Sequence, residues 1–457
     1  MEQLRIIVKE FFMTNLPEDF LSEMKELLSE SEFESYINSA DDNYFRGIRI
    51  NTLKCSAETA KSQLPFQLTQ TPFCSEGFYI PFDTEGLGIL PIHRAGGFYA
   101  QEPSAMSAAA ILNVEKGDRV LDLCAAPGGK STQIAQSLGG SGLLWSNEIV
   151  KSRANILLSN IERMGITNAV VSSCHPDRLC RALGGFFDKI LVDAPCSGEG
   201  MFRRDKKARE EWTAEHSRSC ADRQLAILNS AAAALKDGGT LVYSTCTFSR
   251  CENEGVIERF LDAHKDFYID DCKADFGRRT LDGKAVRIFP MDGGEGHFAA
   301  KLKKLGERIP NSDSFCGVKT PETTAAFKLY DELFKTRCFG ERFEIIGDKI
   351  LLLPEAETPA LHGLGVIRAG VLFGEIKKNR IEPCHALYMA SKKDQLRSYI
   401  DLDLDDERIS SFFRGEEISI ESELSGFTAV LCGGLTAGFG KAVGGVLKNR
   451  LPKGLRG

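Results

Sequence analysis

The sequence predicts an α/β protein built on a doubly wound, mostly parallel sheet, with a small α+β unit before it and β-rich modules after it. Three observations predict this. Between about residues 96 and 305, apolar runs of strand length alternate with amphipathic helical stretches, the rhythm of successive βαβ units. Ahead of that region, one helical pattern and one strand pattern are followed by Pro65, Pro72, Pro81 and Pro91, which punctuate a short irregular stretch. Behind it, short apolar runs are separated by Gly-rich turns. The 457 residues suit two to four domains. With 42% hydrophobic and 26% charged residues the composition is that of a globular protein and argues against a disordered chain or a fibre.

In chain order, Leu4 to Leu28 has helical apolar spacing broken by Pro17, and Gly47-Ile-Arg-Ile-Asn51 reads as a strand. Residues 1–95 form the first expected unit. In the second, 96–305, Arg119-Val-Leu-Asp-Leu123 is a strand that runs through a Pro-Gly-Gly turn into a helix from Lys130 to Ser137. Gly142 to Ser146 is the next strand, ending on Asn147-Glu148, with a helix from Lys151 to Met164. Asn168–Ser172, Phe187–Asp193 and Gly239–Ser244 complete five strands. Residues 306–385 and 386–457 are expected as two accessory modules, with Gly363–Gly370 and Gly433–Gly440 as their Gly-rich turns. No apolar run approaches the ~20 residues of a spanning helix, and Met1-Glu2-Gln3-Leu4-Arg5 lacks a signal core.

The fourteen cysteines are scattered, form no CxxC and are joined by no HxxxH, so no zinc or other metal site is expected and a reducing cytoplasm suits them. The net charge of −7 does not advertise a nucleic-acid binder. Two basic clusters nevertheless stand out: Arg203, Arg204, Lys206, Lys207 and Arg209 in mid-chain, and Lys441, Lys448, Arg450, Lys453 and Arg456 at the end. Either is a solvated face or a phosphate-binding patch.

In a doubly wound sheet the site lies at the carboxyl ends of the strands. The first such end is Asp122 followed by Leu123-Cys-Ala-Ala-Pro-Gly-Gly-Lys130, where small residues admit a ligand close to the backbone and the next helix offers its N–H groups. Cys124 stands where a P-loop needs glycine, and GxGxxG is absent, which disfavours a triphosphate or a dinucleotide. Asp122 is an acid where S-adenosylmethionine (SAM) carries its ammonium, and Glu148 is placed for ribose hydroxyls. The fourth strand ends Asp193-Ala-Pro-Cys-Ser-Gly-Glu-Gly200 and the fifth runs into Ser244-Thr-Cys-Thr247, so Cys196 and Cys246 emerge from neighbouring strand ends. Asp193-Ala-Pro-Cys196 is not the Asp/Asn-Pro-Pro-aromatic turn that methylates amines directly. Carbon 5 of a pyrimidine is not nucleophilic until a thiolate adds to carbon 6, and a second group must then take the carbon 5 proton. Two thiols and an acid suit that sequence of steps.

Leu121-Asp-Leu-Cys-Ala-Ala-Pro-Gly-Gly-Lys130, Asp193-Ala-Pro-Cys-Ser-Gly198 and Ser244-Thr-Cys246 together resemble the Nop/Sun class of RNA cytosine-5 methyltransferases. Arg49-Ile-Asn-Thr-Leu-Lys54, Gly97-Phe-Tyr-Ala-Gln-Glu-Pro-Ser104 and Gly294-Glu-Gly-His-Phe298 look like the same family's flanking motifs. Arg368-Ala-Gly370, Gly374-Glu-Ile-Lys-Lys378, Gly438-Phe-Gly-Lys441 and Pro452-Lys-Gly-Leu-Arg456 look like the C-terminal modules of its bacterial RsmF-type rRNA enzymes, the last of them PUA-like. The resemblance implies a Rossmann-like SAM-dependent core with an N-terminal RNA-binding unit. It makes Cys246 the nucleophile, Cys196 the residue that aids product release, and Asp193 a contact to base and cofactor. SAM would be held by Cys124, Ala125, Ala126, Pro127, Gly128, Gly129, Lys130, Glu148, Arg153 and Asp193. It further implies small-subunit rRNA as substrate and a cytoplasmic monomer without a membrane partner. A tRNA cytosine-5 enzyme and a catalytically idle RNA-binding assembly factor are the alternatives; a DNA enzyme would use the Pro-Cys cysteine as nucleophile, and Thr245-Cys246 argues against it. The family usually carries an acid for the adenine after the third strand; His175 aligns there and is not counted in the site. Met291 replaces a common histidine.

Overall fold

Alternation along the central strands fixes the architecture. In the computed structural model, which describes residues 16–39, 43–311, 320–359, 361–378 and 380–457, successive side chains of each central strand enter different cores. Leu121, Trp145 and Ile190 face one core, closed by helix residues Leu228, Val256 and Phe260. Their neighbours Val120, Leu144 and Leu191 face the other, closed by Ile134, Leu157 and Ile161. A strand buried on both faces needs helices on both faces, which is the doubly wound arrangement.

The five expected strands are β1 (Arg119–Asp122), β2 (Leu143–Asn147), β3 (Ala169–Ser172), β4 (Phe187–Asp193) and β5 (Leu235–Thr245), all parallel, in spatial order β3-β2-β1-β4-β5. Helices α1 (Gly129–Leu138) and α2 (Lys151–Arg163) lie on one face, and α3 (Pro176–Ala182), α4 (Ala214–Ala234) and α5 (Glu254–Ala263) on the other. Trp145 is fully buried and its indole N–H donates to Ser172 Oγ at 2.8 Å, tying β2 to β3.

Two features differ from the expectation. The sheet is ten-stranded and mixed rather than mostly parallel. Strand β6 (His297–Lys304) runs antiparallel to β5, and Phe267–Asp270, Ala285–Ile288 and Arg278–Thr280 extend that edge. Lys301, Lys303 and Lys304 break the apolar run of β6, and the other three strands are only three or four residues long, which hides them from an apolar-run reading. At the other edge β7 (Val366–Ala369), from the stretch expected as a Gly-rich turn, pairs antiparallel with β3. Gly365 and Gly370 bracket it with φ of +62° each, and a Cβ on either would lie 2.2 or 2.1 Å from the carbonyl oxygens of Ser173 and Leu352. Those glycines are therefore the ends of a docked strand. β5 also begins four residues before the expected Gly239.

The N-terminal stretch before Leu16 lies outside the described residues, including much of the helix expected from Leu4. Helices Glu18–Leu27 and Glu30–Asn38 follow, the second opened by a reciprocal Ser29–Glu32 cap, and they pack on Phe202, Trp212, Phe248 and Phe289. A four-stranded sheet contains Gly47–Ile50 and Phe98–Ala100. Its Ile48, Ile50 and Phe78 share one core with Phe412, Val430 and Leu435 near the C-terminus. A four-stranded sheet (343–383), two of its strands before β7 and two after it, and a curled five-stranded sheet (399–449) complete the accessory region. The helices Pro321–Leu333, His385–Ala390 and Glu407–Arg414 make these modules less purely β than the turns suggested. Gly433-Gly434 is a turn, but Leu435–Val443 is strand. Among the described residues no helix is long and apolar enough to cross a membrane.

Candidate active site

The carboxyl ends of β1, β2, β4 and β5 open into a cleft of about 1090 Å³, lined at one end by Cys124, Ala126, Glu148, Ile149, Val150 and Arg153 and at the other by Asp193, Ala194, Pro195, Cys196 and Cys246. At the first end the chain leaves β1 at Asp122, turns, and enters α1 at Gly129. Asp122 is fully buried and accepts a 2.7 Å hydrogen bond from Ser131 Oγ; burial lifts its pKa to about 7. Burial and the neighbouring Asp122, Asp193 and Glu148 carboxyls push the Cys124 thiol well above its ordinary value, so it stays neutral. Glu148 is buried, accepts from the Val150 N–H at 3.0 Å and lies 3.4 Å from Arg153 Nη1. Arg153 also donates to the Ala126 carbonyl at 3.0 Å, strapping the turn to α2.

These residues fit SAM. Glu148 offers acceptors for vicinal hydroxyls, and Ile149 and Val150, 54% and 45% exposed, supply bare apolar surface for a flat ring, whereas Asp122, expected beside the cofactor's ammonium, is fully buried against Ser131 and does not line the cleft. Of the turn, Cys124 and Ala126 line the cleft; Ala125, Pro127, Gly128, Gly129 and Lys130 stand behind it. The Ala125 N–H is spent on the Asn147 carbonyl, the Pro127 carbonyl accepts from Asn160, and Gly128 and Gly129 face Leu157 and Gln101.

At the second end Cys196 Sγ and Cys246 Sγ are 3.2 Å apart, half-buried on loops from adjacent strands. The loops are stitched together: the Gly200 N–H donates to the Cys246 carbonyl at 2.9 Å, and Ser197 Oγ meets Thr247 Oγ1 at 2.9 Å. The hydrogen bond with Cys246, and then burial, push the Cys196 thiol well above its ordinary value. Asp193 sits between the two ends. Its Oδ2 is 2.7 Å from Lys130 Nζ and its Oδ1 accepts from Ser244 Oγ at 2.8 Å. Burial opposes its charge, but the Lys130 ammonium and these hydrogen bonds outweigh burial and hold it below the usual carboxylate range. Lys130 therefore reaches the acid, not a thiol. Behind Asp193, 3.8 Å away, His297 is buried and neutral, its pKa driven to about 3 by burial and the Lys130 charge.

Four stretches of the chain match described families: residues 16–103 the N-terminal domain of 16S rRNA methyltransferase RsmF, 109–303 the 16S rRNA methyltransferase RsmB/F family, 330–390 the RsmF first C-terminal domain and 399–457 the RsmF PUA domain. The ribosomal RNA small subunit methyltransferase F of Vibrio cholerae is 34% identical over 96% of this chain and 98% of its own length. The chain belongs to the RsmF family of rRNA methyltransferases. The relative from Erwinia tasmaniensis is 33% identical over 96% of each chain. Among solved structures, a methyltransferase homolog from Pyrococcus horikoshii covers 64% of this RsmF-family chain and 100% of its own at 29% identity and a TM-score of 0.53. NSun6 from the same organism, solved with SFG, covers 64% and 99% at 25% identity and 0.57. The chain is thus a SAM-dependent methyltransferase acting on rRNA.

Sequence reading missed an acid. His175 does line the cleft, but so does Asp177, two residues on in the first turn of α3. Pro176 marks the start of that helix, whose first turn favours an acid. The mid-chain basic cluster is divided. Arg203 is buried against Glu295 at 3.1 Å and Arg209 is bonded to the Phe202 carbonyl, while Arg204, Lys206 and Lys207 are exposed. The Arg49 motif packs units together: the fully buried guanidinium of Arg49 donates to the Gly129 carbonyl at 2.8 Å and to Gln136 Oε1 at 2.9 Å on α1.

Proposed function

We propose that this RsmF-family chain methylates carbon 5 of a cytosine in small-subunit rRNA through a covalent Cys246–carbon 6 adduct, with Cys196 assisting release. The pair of sulfurs 3.2 Å apart at the mouth of the cofactor cleft carries the reading. SAM, when bound, would lie against the Cys124–Lys130 turn, whose Cys124 and Ala126 face the cleft, with Glu148, Arg153 and Asp177 as further contacts, and would supply an electrophilic methyl group. The Cys246 thiolate adds to carbon 6, which gives carbon 5 enamine character. Asp193, kept ionised by Lys130, accepts a hydrogen bond from the base edge and favours a proton on N3 as carbon 6 is attacked. Once the methyl group is on carbon 5, a base takes the carbon 5 proton, its electron pair restores the 5,6 double bond, the Cys246 sulfur leaves as thiolate, and N3 gives up the proton it gained on addition. Cys196, in contact with the leaving sulfur, serves that last step. The base must be unstacked to reach the thiols. The exposed Arg204, Lys206 and Lys207 and the C-terminal basic residues hold flanking phosphates. On this reading the four units (1–95, 96–305, 306–385 and 386–457) act as one monomer on cytoplasmic rRNA.

The test compares Cys196→Ala with Cys246→Ala, each incubated with SAM and small-subunit rRNA and run on a denaturing gel. Cys196→Ala should trap a protein–RNA adduct. Cys246→Ala should form none and transfer no methyl group while binding SAM as before. An adduct that needs Cys196 instead reverses the two roles.

A further inference from the structure

The loop carrying Cys196 is held by a buried polar clamp on the far side from the cleft. Glu252 is completely buried, and its carboxyl group accepts three hydrogen bonds: from the Ser197 N–H at 3.0 Å, from Gln224 Nε2 at 2.7 Å and from Ser217 Oγ at 2.8 Å. Gln224, also fully buried, sends a second hydrogen bond from the same Nε2 to the Pro195 carbonyl at 3.0 Å, and its Oε1 accepts from Tyr243 on β5 at 3.0 Å. The Tyr243 hydroxyl also lies 2.6 Å from the Glu252 carbonyl. The backbone on both sides of Cys196 is thus bonded to one assembly, directly at Ser197 and through Gln224 at Pro195. Among the described residues no Lys or Arg pairs with Glu252, so its role is not that of half an ion pair. A buried carboxyl that only accepts is costly to desolvate, and its partners are all donors that would otherwise be left unmade.

We infer that Glu252, with Gln224, is the positioning pair that sets the Cys196 thiol against Cys246 and so governs release of the product from the enzyme. The pair touches neither substrate nor cofactor. It acts by fixing the peptide units that flank Cys196, through the Ser197 N–H and the Pro195 carbonyl. This inference rests on the covalent reading above. A loop displaced by even an ångström separates the releasing thiol from the leaving sulfur, a shift that costs roughly 100-fold in turnover.

The experiment runs Glu252→Gln, Gln224→Met and Cys196→Ala beside the wild type with SAM and small-subunit rRNA, reading methyl transfer, adduct on a denaturing gel and SAM affinity by calorimetry. Expected is a roughly 10- to 100-fold loss of turnover in Glu252→Gln, with accumulated adduct as in Cys196→Ala and SAM affinity intact. Gln224→Met frees the Pro195 side while sparing the Ser197 and Ser217 bonds, and decides the matter by itself if Glu252→Gln does not fold. It should accumulate adduct to a smaller extent. Adduct in Cys196→Ala but in neither clamp variant, whether they turn over normally or are simply slow, overturns the positioning role and leaves the covalent reading standing. No adduct in Cys196→Ala strikes the covalent reading itself.

Discussion

The two ends of the cleft are made differently. The cofactor end is almost one local segment: β1, the turn from Cys124, and α1, with Glu148 added from the next strand. Its carboxyl groups have few partners, and its apolar wall is bare. The cysteine end is assembled from loops about 50 residues apart, after β4 and β5, locked by Ser197–Thr247, Gly200–Cys246 and the Glu252–Gln224 clamp. A site that holds a ready-made molecule can rely on shape and a few acceptors. On the proposed mechanism the second end must form and break a bond, which needs two sulfurs in fixed register, and buried hydrogen bonds supply the rigidity. Substitutions at the first end should therefore weaken binding, and substitutions at the second should slow turnover.

The largest effect is expected where the ends meet. Asp193→Ala removes the group that faces both and strands Lys130; methyl transfer should fall roughly 10²- to 10⁴-fold, and SAM should bind more weakly. Unchanged SAM affinity in calorimetry would assign Asp193 to the cysteine end alone and sharpen the division. Glu148→Gln comes next. SAM affinity should drop by about tenfold, the worth of a strong hydrogen bond to a charged group, while the single-turnover rate at saturating SAM stays that of the wild type. A slowed single-turnover rate would break the division.

The smallest effect concerns stability. Glu199, at the cysteine end, is buried and accepts from the Trp212 indole N–H at 3.0 Å and the Phe248 N–H at 2.8 Å. Burial raises its pKa from 4.5 to about 7. The folded state then holds a proton that the unfolded chain has lost, so this contribution is complete below about 4.5 and disappears as pH rises through about 7. The melting temperature should decline from pH 5 to 8, and Glu199→Gln should flatten that slope. An unaltered slope would show that the Glu199 proton is not the one released.

The five parallel strands and both cysteines could be read in the sequence because each strand is a short run of Val, Ile and Leu that ends on a chemically distinctive residue. The clamp could not. Glu252 lies in a run of polar residues, Ser249-Arg-Cys-Glu-Asn-Glu254, that reads as a solvated loop, yet Glu252 and Asn253 are fully buried. Only the tertiary placement of Gln224, from the middle of α4, turns that run into a support. Asp177 was missed as a cleft-lining residue for a smaller reason: alignment by strand end points to His175, whereas Asp177 lies two residues on, inside the helix. Arg203 misled in the opposite direction, since a basic cluster in sequence says nothing of a buried Glu295 opposite it.

Strand β7 has a consequence for anyone who wishes to trim the chain. It belongs by sequence to the accessory region, yet it caps β3, whose edge would otherwise present unpaired amides from Ala169 to Ser172. A shortened enzyme cut near residue 305 keeps every residue of the cleft and loses that cap. It also loses Leu351, Leu353, Ala356 and Leu364, which are buried in the core beside Leu121 and Trp145, so such a fragment should aggregate in recombinant expression through a bare edge and an opened core alike, and the remedy is to keep residues 351–370.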